Sequence, residues 1–302
     1  MSVLVIGSTN IDISVEVDRF PIKGETLIGN SIAYKYGGKG ANQACALGKL
    51  GADVTFLTCV GNDAHGHEII EYLTSVGVKT DKVKYTEAYP TGTATITVDA
   101  NGDNIIVVIQ GANKGCDVSY IRENEDSFRN CDYVLLQMEI PFDAIEEAIL
   151  LAAKYSKKVV LNPAPASKEL NKTLYKHITY MTPNEVEINV MAGDGDTLEE
   201  NARHLLDLGI DNVLVTLGSE GARLFSDATE SIHVPAYKVE AVDTVAAGDC
   251  FNGAFVAALD RGESVREALK FANRASAIAV MRKGAQESIP TKEEMEQSLI
   301  GK

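Results

Sequence analysis

The sequence predicts an α/β protein: a parallel sheet with helices on both faces, plus a small antiparallel β-sheet laid over it as a lid. Three observations point there. From Asp132 onward, short apolar runs of strand length alternate with stretches of helical period. Each apolar run ends in a polar loop, where open α/β sheets bind ligands. Two pairs of β-rich runs, one near the N-terminus and one around Asn101, interrupt that alternation.

Ser2–Ile6 reads as a buried strand and runs into Gly7-Ser-Thr-Asn10-Ile-Asp12. Ile11–Val17 and Thr26–Tyr36 alternate imperfectly around Pro21 and Gly24, as a hairpin with one wet face does. Gly37-Gly-Lys39-Gly-Ala-Asn42-Gln-Ala opens a helix whose periodic part is Cys45–Leu50, closed by Gly51. That opening is not a Walker A loop, for want of Gly-Lys-Ser/Thr. It is not a dinucleotide fingerprint either, for want of the third glycine. Val54–Val60 reads as a strand and Gly66–Gly77 as a helix. Thr91–Val98 and Asn104–Ile109 flank Asp99-Ala-Asn101-Gly102, a strong hairpin turn. The regular half follows: strand Tyr133–Gln137, helix Phe142–Tyr155, strands Val159–Leu161 and Tyr180–Thr182, helix Thr197–Leu208, strand Asn212–Thr216. An apolar helical run follows Asp249, and an Ala-rich helix spans Ser264–Met281. With no internal repeat or linker, one domain over 1–302 is expected, its lid built from insertions at about 12–36 and 90–110.

Composition narrows the function classes. The chain has 302 residues, 45% hydrophobic and 24% charged, with a net charge of -15. An acidic surface repels phosphate backbones and anionic lipids, so nucleic acid and membrane are not expected partners. No apolar run of about 18 residues exists. Five scattered cysteines without a CxxC pair point to a reducing, cytoplasmic setting rather than a metal cage. His65 and His67 lack an acidic or Cys partner at ligand spacing.

The densest chemistry lies in Asp243-Thr-Val-Ala-Ala-Gly-Asp249-Cys-Phe-Asn-Gly253. Ala246, Ala247 and Gly248 leave the first amides of the following helix bare, an anion site beside the Asp249 carboxylate. Such a pairing suits deprotonation of an alcohol as it attacks a γ-phosphorus. A helix simply capped by Asp explains the stretch equally well. Asn10, Asp12, Lys39, Gly40, Asn42 and Glu139 are polar groups at loop positions, fit for a polyhydroxylated ligand or for turns and caps. Thr216-Leu-Gly218-Ser219-Glu-Gly221 ends a strand in a turn able to approach phosphates by its backbone. Asn184 and Glu187 share one side of a helix start. There Glu187 could order water on Mg²⁺, or the pair could be an ordinary acidic cap.

Taken together, Gly37–Gln43, Asn162-Pro-Ala-Pro165, Pro183-Asn184-Glu185, Thr216-Leu-Gly218 and Asp243–Gly253 resemble the ribokinase family of carbohydrate kinases, in the family's order across nearly the whole chain. Asn10-Ile-Asp12 and Arg282-Lys-Gly-Ala-Gln286 sharpen the likeness. The resemblance implies a Rossmann-like domain whose β lid makes a homodimer contact. It implies ATP-dependent phosphorylation of D-ribose at its 5-hydroxyl, with Mg²⁺ and stimulation by K⁺. Carried over, Asn10, Asp12, Gly38, Lys39, Gly40, Ala41, Asn42 and Glu139 hold the sugar, and Asp249 is the base. The amides around Ala246 to Gly248 steady the transferring group. Asn184, Thr216, Gly218, Ser219, Gly221 and Asn273 contact ATP. Glu187 acts near Mg²⁺, while Asp243, Val245, Ala279, Arg282, Gly284 and Ser288 surround K⁺, several by carbonyls. Ala246 and Cys250 depart from the family's usual Gly and Thr.

Other readings compete. A same-fold kinase for deoxyribose, fructose or a nucleoside remains open, although a nucleoside needs an apolar slot that this polar set does not offer. A non-catalytic sensor has no need of Asp249 behind small residues. A dehydrogenase lacks its glycine fingerprint after the first strand.

Overall fold

The computed structural model describes residues 2–193 and 195–300. The outermost residues of the expected 1–302 domain, Met1, Gly301 and Lys302, lie outside them. In chain order the strands are β1 Val3–Ile6, β2 Asn10–Glu16, β3 Ser31–Gly37, β4 Val54–Leu57, β5 Cys59–Gly61, β6 Val78–Lys79, β7 Lys84–Thr86, β8 Gly92–Val98, β9 Asn104–Ile109, β10 Tyr133–Leu136, β11 Lys158–Leu161, β12 Tyr180–Met181, β13 Asn212–Thr216, β14 Ala222–Ser226 and β15 Ile232–Val234. The helices are α1 Lys39–Lys49, α2 Ala64–Ser75, α3 Val118–Glu123, α4 Glu125–Arg129, α5 Phe142–Lys154, α6 Glu185–Ala192, α7 Leu198–Asp207, α8 Ala247–Asp260, α9 Val265–Val280 and α10 Lys292–Gln297.

Nine strands form the main sheet in the order β15-β14-β13-β12-β11-β10-β1-β4-β6. Strands β6 to β13 across this sheet are parallel, with β14 and β15 added antiparallel at one edge. Alternate side chains of β1 feed two separate cores. Val3 and Val5 pack with α1, α2, α8 and α9, whereas Leu4 and Ile6 pack with α3 to α7. Helices therefore cover both faces, which is why these strands are apolar on both sides. From β1 the chain builds outward to β4 and β6. It then returns to β10 and builds the other way. The reversal opens a crevice between β1 and β10 at their carboxyl ends.

The second sheet has the order β3-β2-β8-β9. Its two hairpins are antiparallel as expected, but β2 joins β8 in parallel, from Asn10↔Gly92 to Glu16↔Val98. The small sheet is thus mixed rather than wholly antiparallel. Both central strands start at the crevice and run outward from it, so they share a direction. The apolar run Val54–Val60 is two strands: β4 stays in the main sheet, while β5 pairs with β7 in a two-stranded sheet.

Candidate active site

The glycines that open α1 are there for close approach. Gly38 has φ 87, a left-handed backbone, and a Cβ on it would lie 2.7 Å from the Asn10 nitrogen. A Cβ on Gly40 would lie 2.5 Å from the Gly7 carbonyl carbon. The start of α1 is therefore pressed onto the loop after β1, and the buried Ala41 donates its N–H to the Ser8 carbonyl (2.9 Å). Glu139, past the end of β10, accepts from Ser8 Oγ and from the Lys39 N–H (3.1 Å). Asn10 is buried and oriented by Asn113, whose Nδ2 donates to its Oδ1 at 2.7 Å.

Asp12 stands among like charges. Burial pushes its carboxyl up to about 6, Glu139 and Asp249 add to the rise, and Lys35 and Lys39 oppose it. The Lys39 ammonium is held up chiefly by Asp249. Asn10, Asp12, Lys39, Asn42 and Glu139 are thus gathered at the β1–β10 crevice, with Asp249 beside them.

Asp249 is only 6% exposed and sits in the first turn of α8. Its Oδ2 accepts from Asn42 Nδ2 and its Oδ1 from Gln43 Nε2, both at 2.9 Å. No side chain caps α8, whose N-cap, Ala246, is left-handed with φ 58. The Ala247 amide turns back to the Thr244 carbonyl (3.2 Å), while the Ala246, Gly248 and Asp249 amides have no hydrogen-bond partner among the described residues. Of the three amides the sequence pointed to, those of Ala246 and Gly248 stand open and that of Ala247 is taken up. Cys250 faces the apolar core beside Cys45 rather than the helix start. All five cysteines are buried and unpaired.

Two clefts meet here. A smaller one, about 200 Å³, is lined by Lys39, Glu187, Ala246–Gly248 and Asp249. A larger one, about 830 Å³, runs along Gly218, Ser219, Gly221, residues 236–239, Phe251, Asn273 and Ser276. Asn184, Thr216, Thr244, Ala247 and Gly248 border both. The Asn273 amide is committed to the Val234 and Pro235 carbonyls (2.9 and 3.2 Å), so it shapes the wall of the larger cleft.

Asn184 and Glu187 form a full capping box: the Asn184 side chain accepts from the Val186 and Glu187 amides, and Glu187 accepts from the Asn184 N–H (2.8 Å). Burial raises the Glu187 carboxyl despite this bond. The cap and the cleft-lining position coexist.

The loops holding Asp243 and Gly284 are tied together. Asp243 accepts from the Val245 N–H and the Gly284 N–H, each at 3.0 Å. Ser288 donates to the Ala285 carbonyl (2.8 Å). Ala279 lies in the last turn of α9, where its carbonyl accepts from the Arg282 N–H (3.0 Å), and the Arg282 guanidinium is turned to Glu294 (3.0 and 2.9 Å). Among the described residues no three His, Cys, Asp or Glu side chains cluster as metal ligands.

Gln43, Gln137, Asn162, Thr182 and Asn252 were not among the expected site residues. Gln43 bridges Asp249 and Asn162, while Thr182 bonds Asn252 at 2.6 Å. Asn162 lay in a recognised motif. Gln43 and Asn252 did too, whereas Gln137, just past the end of β10, and Thr182 carried no such mark.

Known proteins share this fold. The pfkB family carbohydrate kinase model matches residues 1–292. A Staphylococcus aureus ribokinase is 40% identical, with 98% of each chain covered. The solved Thermotoga maritima ribokinase superposes with a TM-score of 0.92 at 40% identity, covering 98% of both chains. The Arabidopsis thaliana ribokinase, solved with ribose and ATP, gives 0.92 at 34% identity, covering 98% of this chain and 97% of that one. The chain belongs to the pfkB family of carbohydrate kinases.

Proposed function

We propose that the protein transfers the γ-phosphoryl group of ATP to the 5-hydroxyl of D-ribose, giving D-ribose 5-phosphate and ADP. One observation carries this: Asp249 is bonded to Asn42 on the sugar side and borders the amide-lined cleft on the other. The Arabidopsis relative solved with ribose and ATP supports both substrates.

Asn10, Asp12, Gly38–Asn42 and Glu139 hold the sugar hydroxyls, and the cleft along Asn184, Thr216, Gly218–Gly221 and Asn273 holds the nucleotide. Asp249 accepts the proton of the 5-hydroxyl as that oxygen bonds to the γ-phosphorus. The bond from that phosphorus to the β,γ-bridging oxygen breaks, and ADP leaves with the electron pair. The Gly248 and Asp249 amides neutralise the charge growing on the transferring group. Lys39 balances the carboxylates around the sugar.

Glu187 fits a magnesium ion carried by ATP. It is a single half-buried carboxylate whose raised pKa a cation would relieve, suiting an ion that keeps several waters. Mg²⁺ supplies charge neutralisation on the phosphates. The loops of Asp243, Val245, Ala279, Arg282, Gly284 and Ser288 bring backbone carbonyls near the Asp243 carboxylate and the Ser288 hydroxyl, oxygen chemistry that suits K⁺. The small sheet is read as a lid on a single domain, as the joining face of a homodimer, and the cytoplasm as the setting.

The test is ADP release with a panel of pentoses, hexoses and nucleosides in ATP, Mg²⁺ and K⁺, repeated with tetramethylammonium for K⁺. Ribose should give the highest kcat/KM, and K⁺ should raise it. A nucleoside or hexose turned over faster than ribose would sink the sugar assignment, and indifference to K⁺ the cation assignment.

A further inference from the structure

We infer that Asp249 is held in its working orientation by a one-way chain of buried side-chain amides, with Gln43 as its positioning residue. This rests on the reading of Asp249 as the base. An ionised carboxylate can only accept, so Asn42 and Gln43 must both turn their NH₂ groups toward it. Their oxygens then face away and need donors. Gln137 Nε2 donates to Gln43 Oε1 at 2.7 Å, and Gln286 Nε2 donates to Asn42 Oδ1 at 3.1 Å. The chain therefore runs from Gln137 through Gln43 to one oxygen of Asp249, and from Gln286 through Asn42 to the other.

The ends of the chain bear this polarity out. Gln137 Oε1 and Gln286 Oε1 are buried acceptors with no hydrogen-bond partner among the described residues. Each is the oxygen left over when every amide in its arm points its NH₂ toward Asp249. Reversing any link sets two oxygens, or two NH₂ groups, face to face in a dry interior. Gln43, Gln137 and Gln286 are all 0% exposed. Gln43 offers no surface to either substrate and acts through Asp249. With both carboxylate oxygens gripped, the side chain cannot rotate away from the sugar hydroxyl.

The test compares Gln43→Met, Gln43→Glu and Asp249→Asn, with thermal melting to confirm folding. Methionine keeps the volume and removes the donor, so kcat should fall about 100-fold while the ribose Kd stays within about twofold. Glutamate is isosteric but sets an oxygen against Asp249, so kcat at pH 8 should rank wild type above Met and Met above Glu. A space-filling role ranks Glu above Met. If Gln43→Met fails to fold, Gln137→Met reads the same arm one link out, and kcat should fall about tenfold with the ribose Kd unchanged. A folded Gln43→Met or Gln137→Met with wild-type kcat overturns the chain. If Asp249→Asn is dead in that case, the base survives and only the chain is lost; an active Asp249→Asn removes both.

Discussion

Asn42 and Asp249, 207 residues apart in sequence, share a hydrogen bond of 2.9 Å. The contact exists because α1 and α8 pack at unusually short range. A Cβ on Gly253 would lie 2.5 Å from the Ala46 Cβ and 2.9 Å from the Gln43 carbonyl oxygen. One turn earlier on α8, Asp249 is delivered to the opening of α1. The helix that opens on the β1–β10 crevice and the helix that opens on the amide-lined cleft thus meet at one carboxylate.

Replacing that carboxylate should separate binding from chemistry. Asp249→Asn keeps the size and the ability to accept from one amide but cannot take up a proton. We expect kcat to fall about 10³-fold or more, with ribose Kd by calorimetry changed only a few-fold. Near-normal kcat in a folded variant rules out the base.

How much of this was legible beforehand depends on the kind of signal. Tyr133–Leu136 and its parallel neighbours are short apolar runs closed by polar loops, and such runs announce themselves. Val54–Val60 looked equally clear, yet Thr58 is where the chain changes sheet, and hydrophobicity alone cannot mark that exchange. Helices α3 and α4, six and five residues long, are too short to show a period. The antiparallel edge β14–β15 was likewise unread. Asp249, Asn42 and Lys39 stood out because ionisable or amide side chains sat among glycines or small residues. Gln43 sits beside Asn42 in the same run of small residues, but its role, like that of Gln137, lies in bonds to residues 206 and 94 positions away that exist only in the folded core.

Asp12 predicts a pH dependence. Its carboxyl rises from 3.8 to about 6 on folding, mainly by burial. The folded state therefore holds the proton more tightly, and this group's contribution to stability is full below about 4 and lost as pH rises through 6. Asp12→Asn should flatten that part of the Tm–pH curve and raise Tm at pH 7.5. With Asp12 accepting from the sugar, as proposed, binding favours the ionised form, so wild-type ribose affinity should be about tenfold weaker at pH 5 than at pH 7.5. Equal affinities at both values would refute the shift.

Ala246 carries a cost that its side chain explains. At φ 58 it occupies the left-handed region, about 1 kcal/mol unfavourable for a residue with a Cβ. Ala246→Gly should leave stability unchanged or slightly higher, since relief of strain offsets the freer unfolded chain. A β-branched residue fits worst, so Ala246→Val should lower stability by about 2 kcal/mol and weaken the amide site with it. Denaturant melts of both variants check the order; a Val variant as stable as wild type would exclude strain at this turn.

The small sheet ends on β9, an edge strand in the order β3-β2-β8-β9. Ile105, Ile106, Val107, Val108 and Ile109 are 51% to 57% exposed, on both faces of the strand. Five consecutive large apolar residues on a bare edge invite another chain unless something covers them. A second copy presenting the same sheet would cover them symmetrically and shield the face where Asp12 stands opposite Lys35 across β2 and β3. Charges on one face, Ile106→Lys with Val108→Lys, should convert a dimer to a monomer in light scattering and raise the ribose KM. A wild type that is monomeric at tens of micromolar, or a double-lysine variant that stays dimeric, would exclude this face as the joint.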